Sequence, residues 1–389
     1  MTADRRPHVV HVITRLELGG AQQCTLCVAA RLPRQRWRVS LVTGVADLLD
    51  EDAGQIEHVP LHSVRSLVRE IAPLHDVAAL AALVRLLRRM RRADDVPMIV
   101  HTHSSKAGIL GRVAARAAGI HHVVHTYHGF GFNDRQPRAL FAAFVATERA
   151  VAPLTSAFVC VSRENLRAGS ALRVLDPRRT TLIRSGFDLD QFRPAAADGD
   201  RLRRELGLRD ETPLVGTIAC LKPQKAPLDF VAAAQRVART RPDVHFVVAG
   251  DGVLRPEVER ARDAAGLRDR LHLLGWRRDV PDLLAALDAF ALCSHWEGLP
   301  RVIPQAQSLG VPVVATAVDG TREAIDEGRT GLLVAPGDAD AMADRLLRLL
   351  GDRELRQRLG DAGAAAVGEF DAALMVARHG ELYERLLAS

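Results

Sequence analysis

Aromatic side chains are scarce. Phe, Trp and Tyr make up 4% of the 389 residues, too few for the stacking platforms that hold single-stranded nucleic acid, so no nucleic-acid partner is expected. Cysteine is scarce as well: Cys24, Cys27, Cys160, Cys220 and Cys293 are odd in number and dispersed. Cys24 and Cys27 form a C-x2-C, but no second pair or nearby histidine completes a zinc site, and both are read as packing residues of a first helix. No run approaches the roughly 18 apolar residues of a membrane span. The stretch Val9-Val10-His11-Val12-Ile13 is too short for the apolar segment of a signal peptide. The expectation is a reducing, cytoplasmic, soluble protein, at most peripheral at the inner face of a membrane.

What is present points to two domains. The length exceeds that of a usual single domain, and an apolar fraction of 48% suffices for two cores. The formal charge of +6 is consistent with anionic partners. Short β-branched runs alternate with Ala/Leu/Arg-rich helical stretches along the whole chain. Six runs (8–13, 39–43, 98–101, 123–126, 158–161, 181–184) precede a Pro- and Asp/Gly-containing stretch at 193–212, and six more follow it (214–218, 245–249, 271–274, 289–293, 313–317, 332–334). Continuous apolar strands separated by helices predict parallel sheets covered on both faces. The fold class is therefore α/β, two doubly wound Rossmann-like domains at 1–192 and 213–369, joined by a linker at 193–212 and followed by a terminal helix at 370–389.

Four segments carry candidate chemistry, each where a strand ends and a helix begins. Ser294-His295-Trp296-Glu297-Gly298-Leu299-Pro300 follows the strand at 289–293: a carboxylate, then a glycine that lets backbone approach a ligand, then a proline suited to a first helical turn. Leu221-Lys222-Pro223-Gln224-Lys225 follows the strand at 214–218 and sets cations beside a helix N-terminus, an arrangement suited to a diphosphate. Leu18-Gly19-Gly20-Ala21 follows the first strand; without the rest of a G-x-G-x-x-G it is not a dinucleotide fingerprint. Histidines gather at 101, 103, 121, 122, 125 and 128, yet no Cys or carboxylate at ligand spacing joins them, so no metal is expected. At 80–92, Leu80, Leu83, Val84 and Leu87 share one helical face and Arg85, Arg88, Arg89 and Arg92 the other. That pattern suits either a solvated covering helix or contact with an anionic membrane.

Together these segments resemble the retaining GT-B glycosyltransferases of the family 4 type, over nearly the whole chain. The 297–306 stretch resembles the subgroup written E-G-L-P-R-V-x-P-Q-A; its signature is E-x7-E, with Gln305 here in the second Glu position. Lys225 falls on the lysine of the family's G-R-L-x-x-x-K-G element, Cys220 stands where its arginine is usual, and Lys222 is the candidate substitute. The resemblance implies that Glu297 orients the donor sugar, Lys225 stabilises the leaving diphosphate, and His128 of His-Gly-Phe lies near the reacting groups. It further implies donor contacts from Gly19, Gly20, Lys222, Trp276, Arg277, Gly298, Leu299 and Gln305, and an acceptor contact from His103. Asp319-Gly320 resembles the family's Gly-Gly turn with Asp in the first position, and Asp188-Leu-Asp190 belongs to its interdomain turn. The implied reaction moves a hexosyl or N-acetylhexosaminyl unit from a nucleoside diphosphate sugar, a UDP-sugar, to a hydroxyl of a lipid-linked saccharide or polysaccharide precursor. No cofactor besides the nucleotide-sugar co-substrate is expected, and the terminal helix is expected to cross back onto the first domain. Three alternatives stand beside it: a small-molecule acceptor of antibiotic type, a sugar-nucleotide epimerase or phosphorylase of the same fold, and a non-enzymatic sugar- or nucleic-acid-binding module.

Overall fold

The computed structural model describes residues 5–388 apart from 46, 94 and 134. The chain forms two units, one comprising residues up to Gly186 together with those from Ala372 on, the other Phe187–Asp371. The segment expected as a linker is instead built into the second unit. There Arg203 donates to the carbonyl of Ala286 at 2.8 Å and to Asp288 at 3.1 Å, and Arg201 pairs with Asp282 at 3.3 Å. The short helix Gly199–Glu205 thus carries arginines whose partners lie in the neighbouring helical turn, which is why this charged stretch is ordered.

The first unit is a seven-stranded sheet in the order β3-β2-β1-β4-β5-β6-β7. Its strands are β1 (His8–Val12), β2 (Arg38–Thr43), β3 (Leu61–Ser63), β4 (Met98–His103), β5 (His122–Tyr127), β6 (Ala157–Cys160) and β7 (Thr180–Leu182), and every pairing is parallel. Parallel strands are buried on both faces, so they read as unbroken apolar runs. The C-terminal helix Ala372–Ala388 joins this core: Tyr383 is fully buried and lies edge-on to Trp37, ring centroids 5.6 Å apart. A buried ion pair braces the other side, where Arg112 Nη2 lies 2.5 Å from Glu148 Oε2 and the Tyr127 hydroxyl donates to the same oxygen at 2.9 Å.

The second unit is a six-stranded parallel sheet, β10-β9-β8-β11-β12-β13. Its strands are β8 (Leu214–Ile218), β9 (His245–Ala249), β10 (Leu271–Gly275), β11 (Ala289–Leu292), β12 (Val313–Thr316) and β13 (Leu332–Val334). In both units strand order reverses direction once, between β1 and β4 and between β8 and β11. Helices leave to opposite faces on either side of such a point, opening a crevice at the strands' C-terminal edge. That crevice positions the candidate chemistry.

Candidate functional site

In the second unit the switch point brings the two strongest sequence candidates into contact. The Lys222–Lys225 loop leaves β8 and the Ser294–Pro300 loop leaves β11, and these strands are direct neighbours. Lys225 Nζ pairs with Glu297 Oε1, both side chains largely shielded from solvent. Ser294 Oγ donates to the same carboxylate oxygen at 2.5 Å, and the Glu297 backbone N–H donates to Asp319 Oδ2 at 2.7 Å. The two loops are also stitched by backbone: His295 N donates to the Gln224 carbonyl at 2.8 Å, and Gln224 Nε2 to the Trp296 carbonyl at 2.9 Å. A carboxylate paired with a lysine and fixed by a hydroxyl and its own amide is pre-aimed, so little ordering remains when a polyhydroxylated ligand replaces one partner.

Two backbone choices make this arrangement fit. Asp319 has φ 34°, a left-handed conformation that Asp tolerates better than most residues because its short polar side chain bonds locally. Its carboxylate holds Glu297 N–H, which accounts for Asp where the family's first glycine was expected. The second glycine is retained for a steric reason: a Cβ on Gly320 would lie 2.0 Å from the Gly298 carbonyl oxygen. Ala226, directly after Lys225, is also left-handed at φ 45°, a position a glycine would occupy with less strain.

The remaining residues of this unit divide. Gly298 and Leu299 are buried beside Gly320, within the same loop contact. Lys222 is half-buried at the start of the turn Pro223–Lys225. Trp276 is 39% exposed after β10. Gln305, which stands in the second Glu position of the signature, is buried on the helix Val302–Ser308. Arg277 was expected to contact the donor; here its guanidinium grips Asp279 Oδ2 at 2.7 Å and both carboxylate oxygens of Glu205 at 2.6 and 2.9 Å. Those bonds, to Asp279 first and then Glu205, raise its pKa and tie the loop after β10 to the helix Gly199–Glu205. Sequence reading missed Ser294 and Asp319 as partners of Glu297: the first bond depends on how the 294–297 turn folds back on itself, and the second needs the β11 and β12 loops to meet.

In the first unit the turn Gly19-Gly20 follows β1 and opens the helix Gly20–Arg31, with no side chain capping its N-terminus. The neighbouring strand ends carry histidines. His11 Nδ1 lies 3.0 Å from His103 Nε2, and His103 Nδ1 lies 3.1 Å from His128 Nε2. His101 bonds the Tyr383 hydroxyl at 2.6 Å and Thr126 Oγ1 at 2.7 Å. Burial, then mutual repulsion, pushes His101 and His103 well below the ordinary imidazole range, while burial lowers His11 to about 3 and His379 to about 4. His103 was expected to contact an acceptor directly. It is buried, with both ring nitrogens engaged by histidines, and lines with His128, Thr126, Ser185 and His379 a void with room for about one water molecule. Half-buried His128 is the outermost member of the chain. Among the described residues, His11, His101 and His103 are the one group able to hold a metal ion, with ligand atoms within 4.8 Å of one another. Hydrogen bonds already engage both nitrogens of His101 and of His103.

Each of the two parallel-sheet Rossmann-like units thus carries candidate chemistry at its own strand ends, a glycine turn in the first and a lysine-paired carboxylate in the second. Residues 198–366 match the glycosyl transferases group 1 family and residues 18–191 the glycosyltransferase family 4. The chain is 34% identical over 354 residues, 89% of each chain, to UDP-Gal:alpha-D-GlcNAc-diphosphoundecaprenol alpha-1,3-galactosyltransferase of Escherichia coli. It is 30% identical over 302 residues, 72% of this chain and 75% of the relative, to alpha-D-kanosaminyltransferase of Streptomyces kanamyceticus. Among solved structures it is similar in fold to Anabaena HepE in complex with UDP and glucose, TM-score 0.81 at 22% identity, covering 97% of this chain and 99% of the other. The chain belongs to the family 4 type of glycosyltransferases, enzymes of the GT-B fold.

Proposed function

We propose that this glycosyltransferase is a retaining enzyme that moves a hexosyl or N-acetylhexosaminyl unit from a UDP-sugar to a hydroxyl of a lipid-linked saccharide. The observation that carries the reading is the Glu297 carboxylate, held by Lys225, Ser294 and the Asp319-capped loop at the edge of β11. Glu297 orients the sugar by accepting from its hydroxyls. As the glycosidic bond to phosphate breaks, charge grows on the leaving diphosphate. Lys225, Lys222 and the backbone N–H groups of Gly298 and Leu299 stabilise it in place of a metal. Retention follows from attack on the face the diphosphate leaves, with a phosphate oxygen taking the acceptor's proton. Gln305, with a neutral carbonyl acceptor, gives the ribose a weaker grip than the usual glutamate. The first unit carries the acceptor, with His128 as its outermost histidine, and the protein works peripherally at the inner face of the membrane. The Escherichia coli relative, named for a diphosphoundecaprenol-linked acceptor, supports the acceptor class.

A second reading, a small-molecule acceptor, is favoured by the kanosaminyltransferase relative. The test is a thermal-shift screen of UDP-, GDP-, ADP- and TDP-sugars with Glu297→Ala and Lys225→Ala as controls. A UDP-sugar at about 100 times its Kd should stabilise the wild type by about 2.7 kcal/mol, and both variants should lose the response. No response to any nucleotide-sugar overturns the reading, and a product with inverted anomeric configuration by NMR overturns retention.

A further inference from the structure

The exposed apolar side chains of this protein are not scattered. Among the described residues, Val45, Leu48, Ile71, Leu74, Val77, Leu140, Leu228, Val253 and Trp276 are the large apolar residues left exposed, and the first six belong to the first unit. Each of those six follows the C-terminal end of a strand. Val45 and Leu48 come after β2, Ile71, Leu74 and Val77 after β3, and Leu140 opens the helix Arg138–Val151 after β5. They therefore ring the same edge of the sheet as His103 and His128. The cluster at 71–77 is the most prominent, with Ile71 70% exposed, Leu74 86% and Val77 69%. It is tied to that edge by Lys106, three residues after His103, which donates to the Glu70 carbonyl and pairs with Asp76 at 2.6 Å.

Leu74 and Val77 also begin a longer pattern. The helix Pro73–Ala93 buries Ala79, Leu83, Leu87 and Met90. At 100° per residue the opposite face carries Leu74, Val77, Ala78 and Ala81, then Arg85, Arg88, Arg89 and Arg92, all exposed. Exposed Arg65, Arg69, Arg135 and Arg138 flank the apolar residues. Three acidic side chains here are neutralised by pairing, Glu17 with Arg69 at 3.2 Å, Asp47 with Arg15 at 2.9 Å and Asp76 with Lys106, and exposed Glu70 beside Ile71 is outnumbered by the exposed arginines. A face that is apolar for its first half and basic for its second matches an acyl boundary beneath anionic headgroups. Solvent alone does not explain three neighbouring large apolar side chains left bare.

We propose that this face, Ile71–Val77 with the outward arginines of the helix behind it, docks the first unit on an anionic lipid bilayer. It sets the histidine-bearing sheet edge at the surface where a lipid-linked acceptor is presented. The inference deepens the lipid-linked acceptor reading and rests on it. Full-length protein is floated with vesicles of phosphatidylglycerol and phosphatidylethanolamine, or of phosphatidylcholine alone, and the UDP-sugar thermal shift is measured on the same samples. Wild type should float with the anionic vesicles, at least 10-fold less with neutral ones, and less as salt rises. Leu74→Ser/Val77→Ser and, separately, Arg85→Glu/Arg92→Glu should each cut anionic flotation at least 10-fold while keeping the wild-type Tm and UDP-sugar shift; all four side chains are exposed. Wild-type flotation that is absent, charge-independent or unchanged in both variants overturns the docking face. A missing UDP-sugar shift with intact flotation overturns the donor assignment instead and leaves the docking face standing.

Discussion

Acid should unfold the first unit well above the pH at which its carboxylates protonate. His11, His101, His103, His125 and His379 are all buried there and held neutral, each with a pKa lowered chiefly by burial. A group whose folded pKa is depressed contributes stability that is complete above its unfolded value, here 6.5, and is lost as pH falls toward the folded value. For His11 and His379 those folded values are about 3 and about 4. Between pH 7.5 and 5.5 each unfolded imidazole takes up most of a proton that the folded one refuses, a loss of about 1.4 kcal/mol per histidine and about 7 kcal/mol for the five. A whole domain is stable by only about 5–15 kcal/mol. At about 2–4 °C per kcal/mol for a unit of this size, the Tm of the first unit should fall by roughly 15–30 °C over those two pH units. In the first unit the strongly paired carboxylate Asp176, bonded to Arg178, has a lowered value and loses its contribution only at more acid pH. The window from 7.5 to 5.5 therefore belongs to the histidines. Differential scanning calorimetry at half-unit intervals reads the effect, and His125→Gln should remove about a fifth of the slope. A Tm for the first unit that moves by less than about 5 °C between pH 7.5 and 5.5 refutes the reasoning.

Other consequences are more local. Glu297→Gln keeps the shape of the carboxylate while removing its charge, and should lower kcat/KM about 10²–10³-fold with an unchanged circular dichroism spectrum. Gly320→Ala drives a methyl group into the Gly298 carbonyl; it should cost about 1–3 kcal/mol in urea unfolding and abolish the UDP-sugar thermal shift. Asp319→Ala keeps the strained backbone but frees the Glu297 amide, so donor KM should rise about 5–10-fold, with Asp319→Asn retaining most of the wild-type value. Glu148→Gln leaves Arg112 charged and buried without its counter-ion, and should destabilise the first unit by about 3–5 kcal/mol in calorimetry.

The strands were legible because parallel strands buried on both faces cannot hide their composition. The runs at 214–218, 245–249 and 332–334 match β8, β9 and β13 residue for residue. Edge strand β3, Leu-His-Ser, escaped because three residues at a sheet margin need no apolar run. Glu297 and Lys225 were legible as types at strand ends, but their contact depends on β8 lying beside β11, a pairing that joins segments 72 residues apart. For Arg277, the sequence places a guanidinium beside a predicted ligand loop but does not reveal its bonds to Asp279 and Glu205, the latter 72 residues away. Gln305 carried no burial signal either, since a glutamine in a short helix is compatible with either face.

The close approach of Gly320 to Gly298 also bears on how this enzyme can be re-engineered. With the carbonyl of one loop filling the space a side chain of the other would need, and with Asp319 bonded to the Glu297 amide, the loops after β11 and β12 are one interchangeable part rather than two. A graft of 294–300 from a related enzyme should function only when 318–321 travels with it. Libraries that vary the two loops independently should be dominated by non-binding members, and paired transplants should retain donor binding far more often.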